Sequence, residues 1–105
     1  MVNDEIREMS RRFVETLHPV KIILFGSYAK DTFRSDSDYD FYIIMPDDAQ
    51  SKLVDATALA YGSLRDMKDR KPVDILLNTQ SKFDNRKSRL TLEKVVNREG
   101  IVLYG

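Results

Sequence analysis

Asp38-Tyr39-Asp40 sets two carboxylates two residues apart, directly before an apolar run, Phe41 to Met45, that reads as a buried strand. Side chains at i and i+2 on a strand lie roughly 6.6 Å apart along one face, so the pair can converge on one cation or bracket two. Magnesium wants such oxygen ligands. It is usually held by one or two carboxylates plus substrate phosphates, and paired ions stabilise both the attacking and the leaving oxygen of a displacement. Upstream, the short β-branched run Val20 to Phe25 stops at Gly26-Ser27, with ten residues between Ser27 and Asp38, and Tyr28-Ala29-Lys30 reads as a short helix. A residue without Cβ lets the backbone approach a ligand closely, and the N–H groups and positive end of the helix, with the Ser27 hydroxyl, suit a phosphate. A phosphate turn beside a strand-borne acid pair points to nucleotidyl or phosphoryl transfer.

Other readings of the same residues compete. Arg34-Ser35-Asp36-Ser37-Asp38 is good turn composition, which accounts for Asp36 fully but for Asp40 poorly, since Asp40 runs into the strand without a polar break. Asp74 lies in a third apolar run, Val73 to Leu77. A carboxylate there either faces water or is offset by a cation, because burying it unpaired is expensive. With Asp38 and Asp40 on a neighbouring strand, a three-carboxylate cluster is the better expectation. His18, the only histidine, sits between a helix end and Pro19 and reads as a terminator rather than a catalyst. Tyr28 could stack on a base, although core packing is the default for such a ring.

Four helical or extended segments must position these groups. Asn3 to Leu17 reads as a helix with Asn3 as N-cap and Ile6, Met9, Phe13 and Leu17 along one stripe. Pro46-Asp47-Asp48 closes the second strand and opens a helix from about Ala49 to Lys68, with Leu53, Ala56, Ala60, Leu64 and Met67 inward and Gly62 weakening it. Ser81 and Asp84 have capping-box spacing, and a helix is expected from there to about Arg98, ended by Glu99-Gly100. Ile101 to Tyr104 forms a last short strand or extended tail.

The totals bound the answer. The chain has 105 residues, 42% hydrophobic, enough for one domain, residues 1–105, with a modest core and little room for a second lobe. Nucleotidyl transfer onto an acceptor usually needs more surface than this, which a partner protein would then supply. Formal charge is zero, yet residues 1–57 carry a net −4 and residues 58–105 a net +4. An acidic half fit for cations thus meets a basic half, including Lys82, Arg86, Lys87 and Arg89, that could meet phosphates, nucleic acid or an acidic partner, or could simply be solvated charge. Cysteine is absent, which excludes disulfides and thiolate metal sites and is compatible with the cytoplasm. The N-terminus does not read as a signal peptide, no run approaches a membrane span, and the four glycines do not fit a Walker-type loop.

Gly26-Ser27, ten intervening residues, then Asp38-x-Asp40 between two apolar strands resembles the signature of the polymerase-beta-like nucleotidyltransferase superfamily, and most closely its minimal nucleotidyltransferases. One departure is visible: the family often has a basic residue then glycine shortly after the serine, whereas Lys30 is followed by Asp31. The resemblance implies a single α/β (α+β) domain, a small mixed sheet packed with helices. It implies that Gly26 and Ser27 hold the nucleotide triphosphate, that Asp38 and Asp40 bind magnesium, two ions, and that Asp74 completes the site. It also implies AMP transfer from ATP to an acceptor hydroxyl, with an all-helical HEPN-domain toxin as partner and acceptor, so that this chain acts as antitoxin. Binding of a partner without catalysis, and a nucleotide- or nucleic-acid-binding module, are the alternatives from other classes.

Overall fold

The computed structural model describes residues 2–105. Its first helix, α1 (Asp4–Leu17), starts where Asn3 Oδ1 accepts the Ile6 N–H at 2.8 Å and stops at His18, whose φ of 50° and bond to the Val14 carbonyl end the turn before Pro19. Four strands follow in the order β1 (Lys21–Phe25), β2 (Tyr39–Met45), β3 (Val73–Thr79) and β4 (Ile101–Tyr104). They form one mixed sheet ordered β3-β2-β1-β4, with β1 antiparallel to β2 and β4, and β2 parallel to β3. The parallel pair needs a crossover, which α3 (Leu53–Gly62) supplies. Between β1 and β2 lies the single-turn α2 (Ser27–Lys30).

Alternation along the strands sorts the side chains onto two faces. Ile22, Leu24, Phe41, Ile43, Met45, Val73 and Ile75 meet α1 and α3 in the main core. Ile23, Tyr42 and Ile44 face the other way, against α4 (Gln80–Arg86) and α5 (Leu92–Glu99) through Phe83 and Val96. This second layer is thin. On β3 it leaves Asp74 and Leu76 exposed.

Two helices differ from expectation. The predicted helix over 49–68 is a 3₁₀ turn at Asp47–Lys52, then α3, which gives way after Gly62 to turns closed by Leu64 N–H to Tyr61 O and Arg65 N–H to Gly62 O. The Asp47 carboxylate, which would have capped an α-helix here, instead accepts from the Ser81 backbone and hydroxyl. That bond also displaces Ser81 from its expected capping role: Thr79 caps α4 in its place. The single helix expected from Ser81 to Arg98 is split, because the Thr91 hydroxyl bonds back to the Arg86 carbonyl and caps a new start at Leu92. The third strand runs two residues beyond Leu77. Among the described residues, no helix is long and apolar enough to cross a membrane.

What fastens the thin layer is a buried polar group that the sequence does not announce. Glu93, 6% exposed, accepts from the Tyr42 hydroxyl at 2.8 Å and from Arg86 Nε at 2.9 Å. Burial alone would raise its pKa, but these two donors outweigh burial and hold it below the ordinary value. Its stabilisation is therefore present above the ordinary carboxylate range and is lost as pH falls through it. Glu93→Ala should cost about 2–4 kcal/mol near neutral pH, since Tyr42 and Arg86 lose their acceptor. Urea unfolding should show the gap to wild type narrowing at low pH, and a gap that does not change with pH would show that the carboxylate charge contributes nothing.

Candidate active site

Tyr39 decides where the two neighbouring aspartates point. Its ring is 2% exposed on the α1 side of the sheet, edge-on to Tyr28 at 4.7 Å, and its hydroxyl donates to Glu5 at 2.7 Å and accepts from Asn3. Burial and the Glu5 carboxylate push the Tyr39 pKa up to about 12, so this hydroxyl keeps its proton as a donor. With Tyr39 anchored inward, strand alternation turns Asp40 to the opposite face, and Asp38 lies just before the strand. Asp40 is flanked in register by Phe25 of β1 and Asp74 of β3. Neighbouring strands lie about 4.8 Å apart, so Asp40 and Asp74 present their carboxylates side by side.

These acids feel one another. Burial, then the charges of Asp74 and Asp38, push the Asp40 pKa up to about 6. Among the described residues, none of the three has a lysine or arginine within ion-pair distance. Such a cluster of oxygen donors with unbalanced charge fits a hard divalent cation. It is open, however: among the described residues, no three acidic or histidine side chains form a ready-made metal cage. Asp74 is exposed while Asp38 and Asp40 are half-buried. The remaining ligand positions are left for other oxygens, such as those of a phosphate.

Gly26 closes the site from β1. Its φ is +75°, where a side chain is strained, and an added Cβ would collide with the Asp40 carboxylate. The following α2 has a single turn, so little macrodipole accumulates, and what it offers an anion is local N–H groups and the Ser27 hydroxyl. Ser27 is half-buried, and among the described residues its hydroxyl has no hydrogen-bond partner. Asp31 answers the departure noted above. It closes α2 at φ 59°, the left-handed conformation a glycine would supply and one that aspartate tolerates.

Other candidates are placed elsewhere. His18 lies before the start of β1, at the opposite end of that strand from Gly26, and takes no part in the acid cluster. Tyr28 is 4% exposed and stacks on Phe33 at 4.2 Å, which leaves its ring no face for a base. In the basic segment, Arg86 pairs with Glu93, Lys87 with Asp84, and Arg89 donates to Asn85, so these cations are largely engaged locally.

Gly26→Ala should lower stability by about 1–3 kcal/mol through its backbone strain alone and should displace Asp40, which chemical unfolding and cation titration can detect together. The sign of the charge strain can be tested separately. Because the folded Asp40 pKa is raised, its stabilising contribution is full below the unfolded value of about 4 and is lost as pH rises through about 6. In chelator-treated protein, Asp40→Asn should therefore raise the unfolding midpoint at neutral pH and change it little at the acid end. A uniform effect at both would mean that neither burial nor the neighbouring carboxylates disfavour the Asp40 charge.

A solved structure resembles this fold. A protein from Sulfolobus solfataricus, assigned as a nucleotidyltransferase, superposes with a TM-score of 0.62 over 91% of this chain and 73% of its own, at 14% identity. At that identity the likeness is one of fold. No curated protein matches the chain in sequence. A family model described as a nucleotidyltransferase domain matches residues 6–97, from the first helix through α5 and including Gly26, Ser27 and all three aspartates. By that match the chain belongs to the nucleotidyltransferase domain family.

Proposed function

We propose that this nucleotidyltransferase domain uses magnesium and ATP to transfer AMP to a hydroxyl on a partner protein, with pyrophosphate leaving. The observation that carries the reading is the register of Asp40 beside Asp74, with Asp38 adding its charge and, among the described residues, no lysine or arginine within ion-pair distance, against the bare backbone of Gly26. Family membership supports nucleotidyl transfer; the nucleotide, the metal and the acceptor are our inference.

Ser27 and the N–H groups of its turn bind the outer phosphates. Asp38 and Asp40 hold the cation, whose chemistry is to neutralise the triphosphate and the leaving pyrophosphate. Asp74, exposed on the strand at the sheet edge, stands on the open side from which an acceptor can approach. Its carboxylate takes the proton from the attacking hydroxyl as general base, or would add a further oxygen ligand to the cation. Positioning and charge neutralisation supply most of the rate.

The acceptor surface must come from outside a domain this small. The resemblance to minimal nucleotidyltransferases makes an all-helical HEPN-domain toxin the proposed partner and acceptor, with adenylylation as the antitoxin activity, in the cytoplasm. The local pairing of Arg86, Lys87 and Arg89 counts against nucleic acid as the acceptor.

Radiolabelled ATP, magnesium and the candidate partner should give a labelled partner protein. Asp74→Asn should keep its fold and ATP binding yet lower transfer by roughly 10²-fold or more. A folded Asp74→Asn protein that transfers at the wild-type rate removes Asp74 from the mechanism, and label found only on added nucleic acid makes the enzyme a tailing polymerase instead.

A further inference from the structure

Helix α3 is apolar on both sides. Inward, Ala56 and Ala60 are buried against the main core, as packing of a crossover helix requires. Outward, Val54 is 84% exposed and Leu59 55%, with Ala58 also exposed between them, and Asp55 is the only charge in the helix's ten residues. A helix that is apolar all round normally has a neighbour on each side. Here a shallow depression of the surface, lined by Thr16, Asp55, Ala58, Leu59, Gly62 and Arg65, marks the missing neighbour.

Gly62 adds an independent observation. Glycine costs about 1 kcal/mol relative to alanine in a helix interior and less at the last position, which Gly62 holds in α3, and no contact inside this chain demands it. Its φ is not positive, and an added Cβ would meet only the Arg65 guanidinium at an ordinary 3.9 Å. The bare position faces outward, where it would let another backbone come close.

The charges at the two ends of the patch say what that neighbour is. Asp55 and Arg65 are both exposed, and among the described residues neither has an ion-pair partner. Set a second copy antiparallel across a two-fold axis at the level of Ala60. Asp55 then faces Arg65 of the other copy and Ala58 faces Gly62, each pairing occurring twice, while Leu59 flanks the contact and Tyr61, whose hydroxyl accepts from the Ile75 N–H of its own β3, takes no part. The order acid, small, small, base is complementary to itself read backwards, as a two-fold interface requires and as a surface for an unrelated partner does not. We propose that α3 is the contact between two copies of this chain, crossing at Ala58 and Gly62.

The interface is one helix face, short of the roughly 800 Å² per partner of a standard stable complex, so the dimer is weak, with Kd on the order of micromolar or above. Sedimentation velocity of the purified chain over a wide concentration range should show monomer converting to dimer. Leu59→Glu, at an exposed position, should leave the circular dichroism unchanged and abolish the dimer. Asp55→Arg and Arg65→Asp should each weaken association about 3- to 10-fold, as expected for loss and reversal of an exposed ion pair made twice, and the two together should restore it. A chain that stays monomeric at every concentration overturns the proposal and leaves the face to a different protein. So does a dimer that survives Leu59→Glu, or one whose single charge variants are not rescued by the swap.

Discussion

The contact on which this structure depends is that of the Asp40 carboxylate against the bare Cα of Gly26. It joins the end of β1 to the start of β2, and both partners are there for reasons of their own. Gly26 must turn the chain at positive φ out of a buried strand into α2. Asp40 must face away from the main core because Tyr39 beside it is bolted inward by Glu5 and Asn3. The two constraints meet at one point. A side chain at position 26 would push the acid out of register with Asp74, so the turn that offers N–H groups also sets the place of the carboxylate.

The rest of the fold keeps that point open. One face of the sheet is sealed by α1 and α3, while the other is covered only over β1 and β2, where Phe83 and Val96 pack on Ile23, Tyr42 and Ile44. Glu93 holds this thin layer by satisfying Tyr42 and Arg86, and the uncovered part of β3 leaves Asp74 and Leu76 in solvent. Burial of the Asp40 carboxylate, and after it repulsion from Asp74 and Asp38, is a strain on the folded chain, visible in the raised pKa of Asp40. It is tolerated because the main core, with Phe13 edge-on to Phe41 at 5.1 Å, lies on the other side.

Much of this was legible in the sequence, and the reasons are local. Asn3 as a cap, Gly26 as a turn, and apolar runs on either side of Asp38-x-Asp40 each act through near neighbours in the chain. Asp74 was harder, since no local rule places it beside Asp40; the parallel register does. The helices after β2 and β3 depart from the expected spans because side-chain bonds outside the helical pattern decide them. Asp47 accepts from the Ser81 backbone and hydroxyl across 34 residues, and the later helix breaks where the Thr91 hydroxyl bonds back to the Arg86 carbonyl and caps a new start whose Glu93 reaches Tyr42 across 51 residues. The outward apolar side of α3 was likewise hidden, because which side of an all-round apolar helix meets the core is not written in its periodicity.

The account stands on the claim that the Gly26-Ser27 turn and the aspartates form one ligand site. Calorimetric titration of ATP with magnesium into wild type and into the Asp38→Ala, Asp40→Ala double variant tests it most directly. The account predicts heat and thermal stabilisation in wild type at millimolar ligand, dependent on magnesium, with both lost in the folded double variant. Binding of equal strength in the two proteins, or none in wild type, would contradict it.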